Sequence, residues 1–263
     1  MSPPASETLP LAISHRGGAG LWPENTMEAF SRTVKMGYRW IETDLHVTAD
    51  GVVVCHHDPT LERTTDGRGE VANLGWKALQ ELDAGYTHLP AQGFPFRGRG
   101  IRIPSLEEVA HSFPDLHMVL ELKADHTEEP LLRLIRRTGI SDRVIVASFS
   151  DARLARVRAL SEGGIATSTG EEEVARLVKA AWLGRSARTD NVALQIPARS
   201  GLVPLVTRRT VRAYHRMGLQ VHVWTIDRPG LMERLLDRGV DGIMTDRPDL
   251  LREVFERRGL WRT

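Results

Sequence analysis

Short runs of apolar, β-favouring residues recur along the chain, and stretches with helical periodicity separate them. Eight runs read as strands, at 11–14, 40–45, 118–123, 144–148, 165–168, 192–196, 220–225 and 242–245. A shorter run, 52–55, follows the turn Ala49-Asp50-Gly51 and reads as the return arm of a hairpin on the second strand. Helical stretches fall at 24–36, 130–138, 151–160, 171–182, 208–217, 229–238 and 248–257. The first places Met27, Ala29, Phe30 and Val34 at helical spacing and stops at Gly37. Asn25 stands three residues before Glu28, as in a capping box, and Ser105 with Glu108 repeats that pattern ahead of Val109 and Ala110. Strands alternating with helices predict a parallel sheet with right-handed crossovers. Eight such units predict a closed (β/α)8 (TIM) barrel. Segment 59–104 breaks the alternation. It is rich in Gly, Pro and Arg, with a weak helical patch at 76–82, and reads as an insertion after the second strand lying over one end of the barrel. The expected organisation is therefore a single domain over 1–263 carrying that insertion.

Length alone does not choose between one large domain and two small ones, so the strand pattern decides. Charge changes the picture more. Lys plus Arg total 35 against 34 for Asp plus Glu, a near balance that argues against a nucleic-acid binder. It leaves room for a local cationic pocket. The single cysteine, Cys55, permits no intramolecular disulfide and no cysteine-based zinc site. Its apolar surroundings, Val52-Val53-Val54, suggest a buried core thiol. Residues 1–10 show no secretory-type leader, and no run approaches the ~18 apolar residues of a membrane span, so the expected location is the cytoplasm. The basic stretch from Arg257 to Arg262 reads as a solvated helix end.

The chemistry concentrates at strand ends. Glu42 and Asp44 are two apart on the second strand and project to one side, where two ionised carboxylates repel unless a cation or proton lies between them. Glu121 and Lys123 share a face on the third strand, adding a third carboxylate and a positive charge. The first strand ends in Ser14-His15-Arg16-Gly17-Gly18, with Arg16 offering a planar fork for phosphate oxygens. The hairpin ends in His56-His57-Asp58, so His15 and His57 can divide general base and general acid work. Asp58 can orient a neighbour, and His56 reads as structural. Taken singly, each of these is an ordinary surface or packing residue. In a barrel, however, the C-terminal ends of the strands meet at one mouth, and all of these groups fall at such ends. Later strands add Gln195, a candidate hydrogen bond to a hydroxyl, and Trp224, an apolar wall for substrate or a packing residue. Asp246 reads as a cap for the last helix.

Several motifs together resemble the glycerophosphodiester phosphodiesterase family. They are His15-Arg16-Gly17, Pro23-Glu24-Asn25-Thr26, Glu42-Thr43-Asp44, the run from His57 to Thr65, and Glu121-Leu122-Lys123. Ile103 to Glu108 and Gly239 to Pro248 match later landmarks, so the resemblance spans 11–250. It implies a (β/α)8 barrel with an insertion after strand two, and hydrolysis of glycerophosphodiesters to glycerol 3-phosphate and an alcohol. It also implies a divalent cation, Mg²⁺ or Ca²⁺, at Glu42, Asp44 and Glu121, an acid–base pair at His15 and His57, and phosphate contacts at Arg16 and Lys123. The alternatives on the same scaffold are a lysophospholipase D, with Leu89, Phe94, Pro95 and Phe96 lining an acyl channel, and a non-catalytic phospho-ligand binder. The first would turn over lysophosphatidylcholine. The second would lack a histidine or a carboxylate, and this sequence lacks neither.

Overall fold

The computed structural model describes residues 10–261. The first nine residues, on which the leader reading partly rests, and Arg262 of the basic tail lie outside the described residues. Chain order runs β1 (Leu11–His15), α1 (Met27–Lys35), β2 (Trp40–Val47), β3 (Val53–Cys55), α2 (Trp76–Leu79), α3 (Leu106–Ser112), β4 (His117–Leu122), α4 (Glu128–Thr138), β5 (Val144–Ala147) and α5 (Asp151–Leu160). It continues through β6 (Ala166–Thr167), α6 (Glu171–Trp182), β7 (Ala193–Pro197), β8 (Arg199–Ser200), β9 (Val203–Pro204), α7 (Arg208–Arg216), β10 (Gln220–Trp224), α8 (Pro229–Arg238), β11 (Gly242–Thr245) and α9 (Pro248–Arg257).

The parallel strands pair in the order β6-β5-β4-β2-β1-β11-β10-β7. A single bridge, Ser168 with Ala193, closes the remaining seam between β6 and β7. The result is an eight-stranded α/β barrel, as the alternation predicts. β3 folds back antiparallel on β2, pairing Leu45 with Cys55 and Val47 with Val53. Burial pushes the Cys55 thiol up to about 12, consistent with a core residue. β8 and β9 form a small separate hairpin beyond β7.

Side chains alternate along a strand, so each barrel strand sends one row inward and one toward the helices. The outward rows pack with α3, α4 and α5 in one cluster, including Ile41, Leu120 and Leu131, and with α6 to α9 in another, including Val221, Tyr214 and Phe255. The inward rows fill the lumen with Ile13, Trp40, Val119, Ile145 and Met244. One alternation further along these strands stand His15, then Glu42 and Asp44, then Glu121. The lumen is therefore apolar in its body and polar at its C-terminal mouth.

The inserted segment has a core of its own, with Leu61, Val71, Leu79 and Ile103 packed under the hairpin residue Val54. The capping box at Ser105 and Glu108 is present at α3. The one expected at Asn25 is not. Thr26 caps α1 by accepting from the Ala29 N–H at 3.2 Å. Asn25 instead adopts the left-handed conformation (φ 56°) and turns its amide toward β2.

Candidate active site

The carboxylates come first, because they organise the rest. Glu42 and Asp44 rise from β2, and Asp44 lies in register with Glu121 on β4. One oxygen from each of the three lies within 4.8 Å of the others. Glu42 is 3% exposed and Asp44 fully buried. Burial, and then the Asp44 charge, push the Glu42 proton affinity well above the ordinary carboxylate range. Its Oε1 is buried without a hydrogen-bond partner. An all-oxygen donor set, deeply buried and with an unused oxygen, suits a hard divalent cation.

Two cations border this group. Lys123 Nζ lies 3.0 Å from Glu121 Oε1 and 3.3 Å from Asp44 Oδ1. Arg16 Nε lies 3.1 Å from Asp44 Oδ2, and its Nη1 donates to Glu24 Oε1 at 3.0 Å. Arg16 has φ 50°, a conformation costing about 1–3 kcal/mol for a non-glycine residue. That turn lets the Arg16 backbone N–H reach Glu42 Oε2 at 3.2 Å. Gly17 follows at φ 78°, and a Cβ there would lie 2.7 Å from the Phe30 ring. Glycine is thus required where the chain leaves β1. Asn25 braces the acids from behind. Its amide donates to Asp44 Oδ2 at 2.9 Å and its carbonyl oxygen accepts from Thr43 at 2.7 Å.

Each histidine is held by a carboxylate. His15 Nδ1 lies 2.7 Å from Asp246 Oδ1, and His15 Nε2 lies 3.7 Å from Glu42 Oε2. Burial opposes the imidazolium, but Glu42 and Asp246 outweigh it and raise His15 to about 9. Asp246 is therefore the partner of a catalytic candidate and not the expected helix cap. The N-cap position of α9 is Arg247, and no side-chain hydrogen bond caps that helix. His57 Nδ1 lies 2.5 Å from Asp58 Oδ1. Asp58 in turn accepts from Arg63 Nε at 2.5 Å. Despite partial burial, Arg63 and His57 pull Asp58 well below the usual carboxylate range. Arg63 also forks onto Glu24 at 2.9 and 2.7 Å. A continuous chain of ion pairs therefore runs from His57 through Asp58, Arg63 and Glu24 to Arg16.

A cleft of about 440 Å³ opens over these residues. His15, Arg16, Glu42, His57, Glu121 and Lys123 line one side, with Asp44 buried beneath. Trp224 lines the opposite side, edge-to-face with Phe149 at 5.8 Å between ring centres. Gln195 also lines the cleft, and its amide nitrogen lies 3.3 Å from Nδ1 of the buried His222. Burial pushes that histidine down to about 4. His56 is buried with Nε2 3.1 Å from the Thr60 carbonyl oxygen, a structural contact. The sequence reading missed Glu24 and Arg63 as an ion pair and Phe149 as a wall. The first two lie inside the motifs themselves, and Phe149 follows a strand end, which was the available signal.

A family model described as the glycerophosphoryl diester phosphodiesterase family matches residues 15–250. A Mycobacterium tuberculosis protein named "Probable glycerophosphodiester phosphodiesterase 2" is 37% identical over 257 residues, covering 95% of this chain and 92% of that protein. The glycerophosphodiester phosphodiesterase of Caldanaerobacter subterraneus is 32% identical, covering 95% of this chain and 99% of its own. Among solved structures, one from Silicibacter pomeroyi gives a TM-score of 0.80 at 26% identity, covering 98% of this chain and 97% of that one. An Oleispira antarctica phosphodiesterase, solved in complex with the product sn-glycerol-3-phosphate, gives 0.75 at 25% identity over 94% of this chain and 97% of that one. Fold and site together define a barrel phosphodiesterase. The chain belongs to the glycerophosphoryl diester phosphodiesterase family.

Proposed function

We propose that the cleft hydrolyses glycerophosphodiesters to glycerol 3-phosphate and an alcohol. His15 and His57 move protons, Arg16 and Lys123 hold the phosphate, and Glu42, Asp44 and Glu121 hold a divalent cation, Mg²⁺ or Ca²⁺. The observation that carries this reading is the meeting of two carboxylate-bound imidazoles, two cations and three clustered carboxylates at one barrel mouth.

A phosphodiester is an anion that repels nucleophiles. Arg16 and Lys123 offset that charge, most effectively as it shifts in the transition state. A divalent cation at the three carboxylates would supply Lewis-acid polarisation of a phosphoryl oxygen and charge neutralisation. In both histidines Nδ1 is engaged by a carboxylate, which fixes the ring and leaves Nε2 as the atom that transfers protons. One imidazole deprotonates the nucleophile and the other protonates the leaving alkoxide. A substrate analogue lacking the glycerol 2-hydroxyl identifies the nucleophile. Its normal turnover would exclude attack by that hydroxyl, whereas trapping of a cyclic glycerophosphate from the full substrate would exclude direct attack by water.

The proposed setting is the cytoplasm, with a small-molecule diester as partner and no nucleic acid. No helix among the described residues is long and apolar enough to cross a membrane. The lysophospholipase D alternative needs an acyl channel in the insertion. Among the described residues, none from 59–104 lines the cleft. Leu89 borders a separate pocket of about 230 Å³, and Arg97 covers the Phe94 ring at 3.7 Å. The polar substrate is therefore preferred. The test is glycerol 3-phosphate release from a panel of glycerophosphodiesters, in chelator and then with added Mg²⁺ or Ca²⁺. Release that depends on the added cation is expected. Full activity in excess chelator would defeat the cation assignment, and no release from any diester would defeat the function.

A further inference from the structure

The cleft has a second lobe that the hydrolytic chemistry leaves unused. The carboxylates, cations and histidines stand on β1, β2, β4 and the loop after β3. A phosphodiester bound there has two substituents, and the cleft extends across the mouth toward the ends of β5, β6, β7 and β10. That side is built differently. Phe149, half exposed, and Trp224 present two rings at an angle of 76°. Val174, Ile196 and Leu205 continue the apolar wall.

Two polar groups stand out against it. Thr169 lines the cleft at only 5% exposure, and its Oγ1 is buried with no hydrogen-bond partner. Such a hydroxyl costs stability unless a ligand satisfies it. Glu171, at the first position of α6, supplies this lobe's carboxylate.

The lobe is also closed to anions. A helix start ordinarily attracts negative groups through its free N–H donors. Here those donors are taken. Glu171 N–H donates to the Phe149 carbonyl oxygen at 2.9 Å, and those of Glu172 and Glu173 donate to Asp151 at 2.8 and 3.1 Å. Gly170 makes this possible, because a Cβ there would lie 2.6 Å from the Asp151 carboxylate carbon. The helix end thus carries Asp151 and three glutamates of its own. Lys123, whose Nζ lies 6.0 Å from the Phe149 ring centre, already has Asp44 and Glu121 as partners.

We propose that this lobe binds the leaving alcohol and selects one bearing a cation, an amino alcohol of the choline or ethanolamine type. The inference rests on the hydrolytic reading above and names the substrate class for the same site. The Trp224 ring attracts an ammonium through its electron-rich face, the Phe149 ring, which has Lys123 Nζ 6.0 Å from its centre, adds apolar wall, and Glu171 adds the opposite charge. The Thr169 hydroxyl accepts a hydrogen bond from a primary ammonium, which choline cannot donate.

The test compares kcat/KM for glycerophosphocholine, glycerophosphoethanolamine, glycerophosphoglycerol and glycerophosphoinositol. The wild-type chain should favour the two cationic diesters by about fivefold or more. Glu171→Gln should remove most of that preference, chiefly through KM, whereas the neighbouring exposed Glu172→Gln, outside the cleft, should keep it. Thr169→Val should lower the ethanolamine diester relative to the choline diester by about threefold or more. Absence of any preference in the wild type would overturn the inference. So would a Glu171→Gln loss shared equally by all four diesters, because the lobe would then hold the common glycerol. No product from any diester would instead overturn the hydrolytic reading, a separate result.

Discussion

The two sides of the cleft satisfy their polar groups in opposite ways. On the side of β1, β2 and β4, the charged groups other than Glu42, whose Oε1 has no partner, are answered from within the protein. Asp44 meets Arg16, Lys123 and Asn25, and Asp58 meets His57 and Arg63. On the side of β5, β6, β7 and β10, the rings of Phe149 and Trp224 line the cleft and the buried hydroxyl of Thr169 has no partner. A network whose members hold each other is rigid and intolerant of deletion, because each loss leaves a partner unpaired. A surface with unused contacts tolerates change and responds through substrate choice. On the proposed reading, chemistry belongs to the first side and discrimination to the second.

The largest expected effect tests the interdependence of the first side. Asp44→Asn keeps the shape but removes the charge shared by Arg16 and Lys123. It should lower kcat/KM by about 10³-fold or more while near-ultraviolet circular dichroism stays native. Retained activity would show that the carboxylate cluster is dispensable. Next in size is Asp246→Asn. An amide there can donate to His15 Nδ1 and reverse the imidazole's tautomer, so kcat should fall by roughly 10²-fold with KM little changed. A purely structural Asp246 would move stability and leave the pH–rate profile in place.

The smallest effect concerns Glu24, which joins the insertion to the barrel. Despite burial, Arg63 and Arg16 lower its pKa from 4.5 to about 2. A depressed folded-state pKa means that the unfolded chain binds the proton first. The stabilisation is therefore complete above about 4.5 and is lost as pH falls toward 2. Urea titrations of wild type and Glu24→Gln should differ at pH 7 and converge near pH 2. A gap independent of pH would show that packing, not charge, fastens this joint.

How much of this was legible in the sequence depended on whether a residue's partner was close along the chain. Glu42 and Asp44 announce themselves by strand alternation, and the strand-helix alternation yields the barrel. The hairpin of β3 follows from its turn. Asn25 and Asp246 were misread for one reason: both precede helices, and Asn and Asp are the usual N-terminal caps. Their actual partners, Asp44 and His15, are fixed by barrel closure and not by local chain chemistry. Asn25 needs the left-handed backbone to reach β2, which the sequence does not display. The second lobe was less visible still. Phe149 and Thr169 come from two different loops and Glu171 opens α6; none carries a motif, and only the folded mouth brings them beside Trp224.

His15 and Asp246 are 231 positions apart in sequence yet share a hydrogen bond, because β1 pairs with β11. Contacts between such distant segments bear a large loop-closure entropy and form late unless intervening structure has already drawn the ends together. A nascent chain therefore cannot assemble the His15 contact before the last strand has been synthesised and docked. A chain stalled or nicked before β11 therefore lacks both Asp246 and the strand that seats β1.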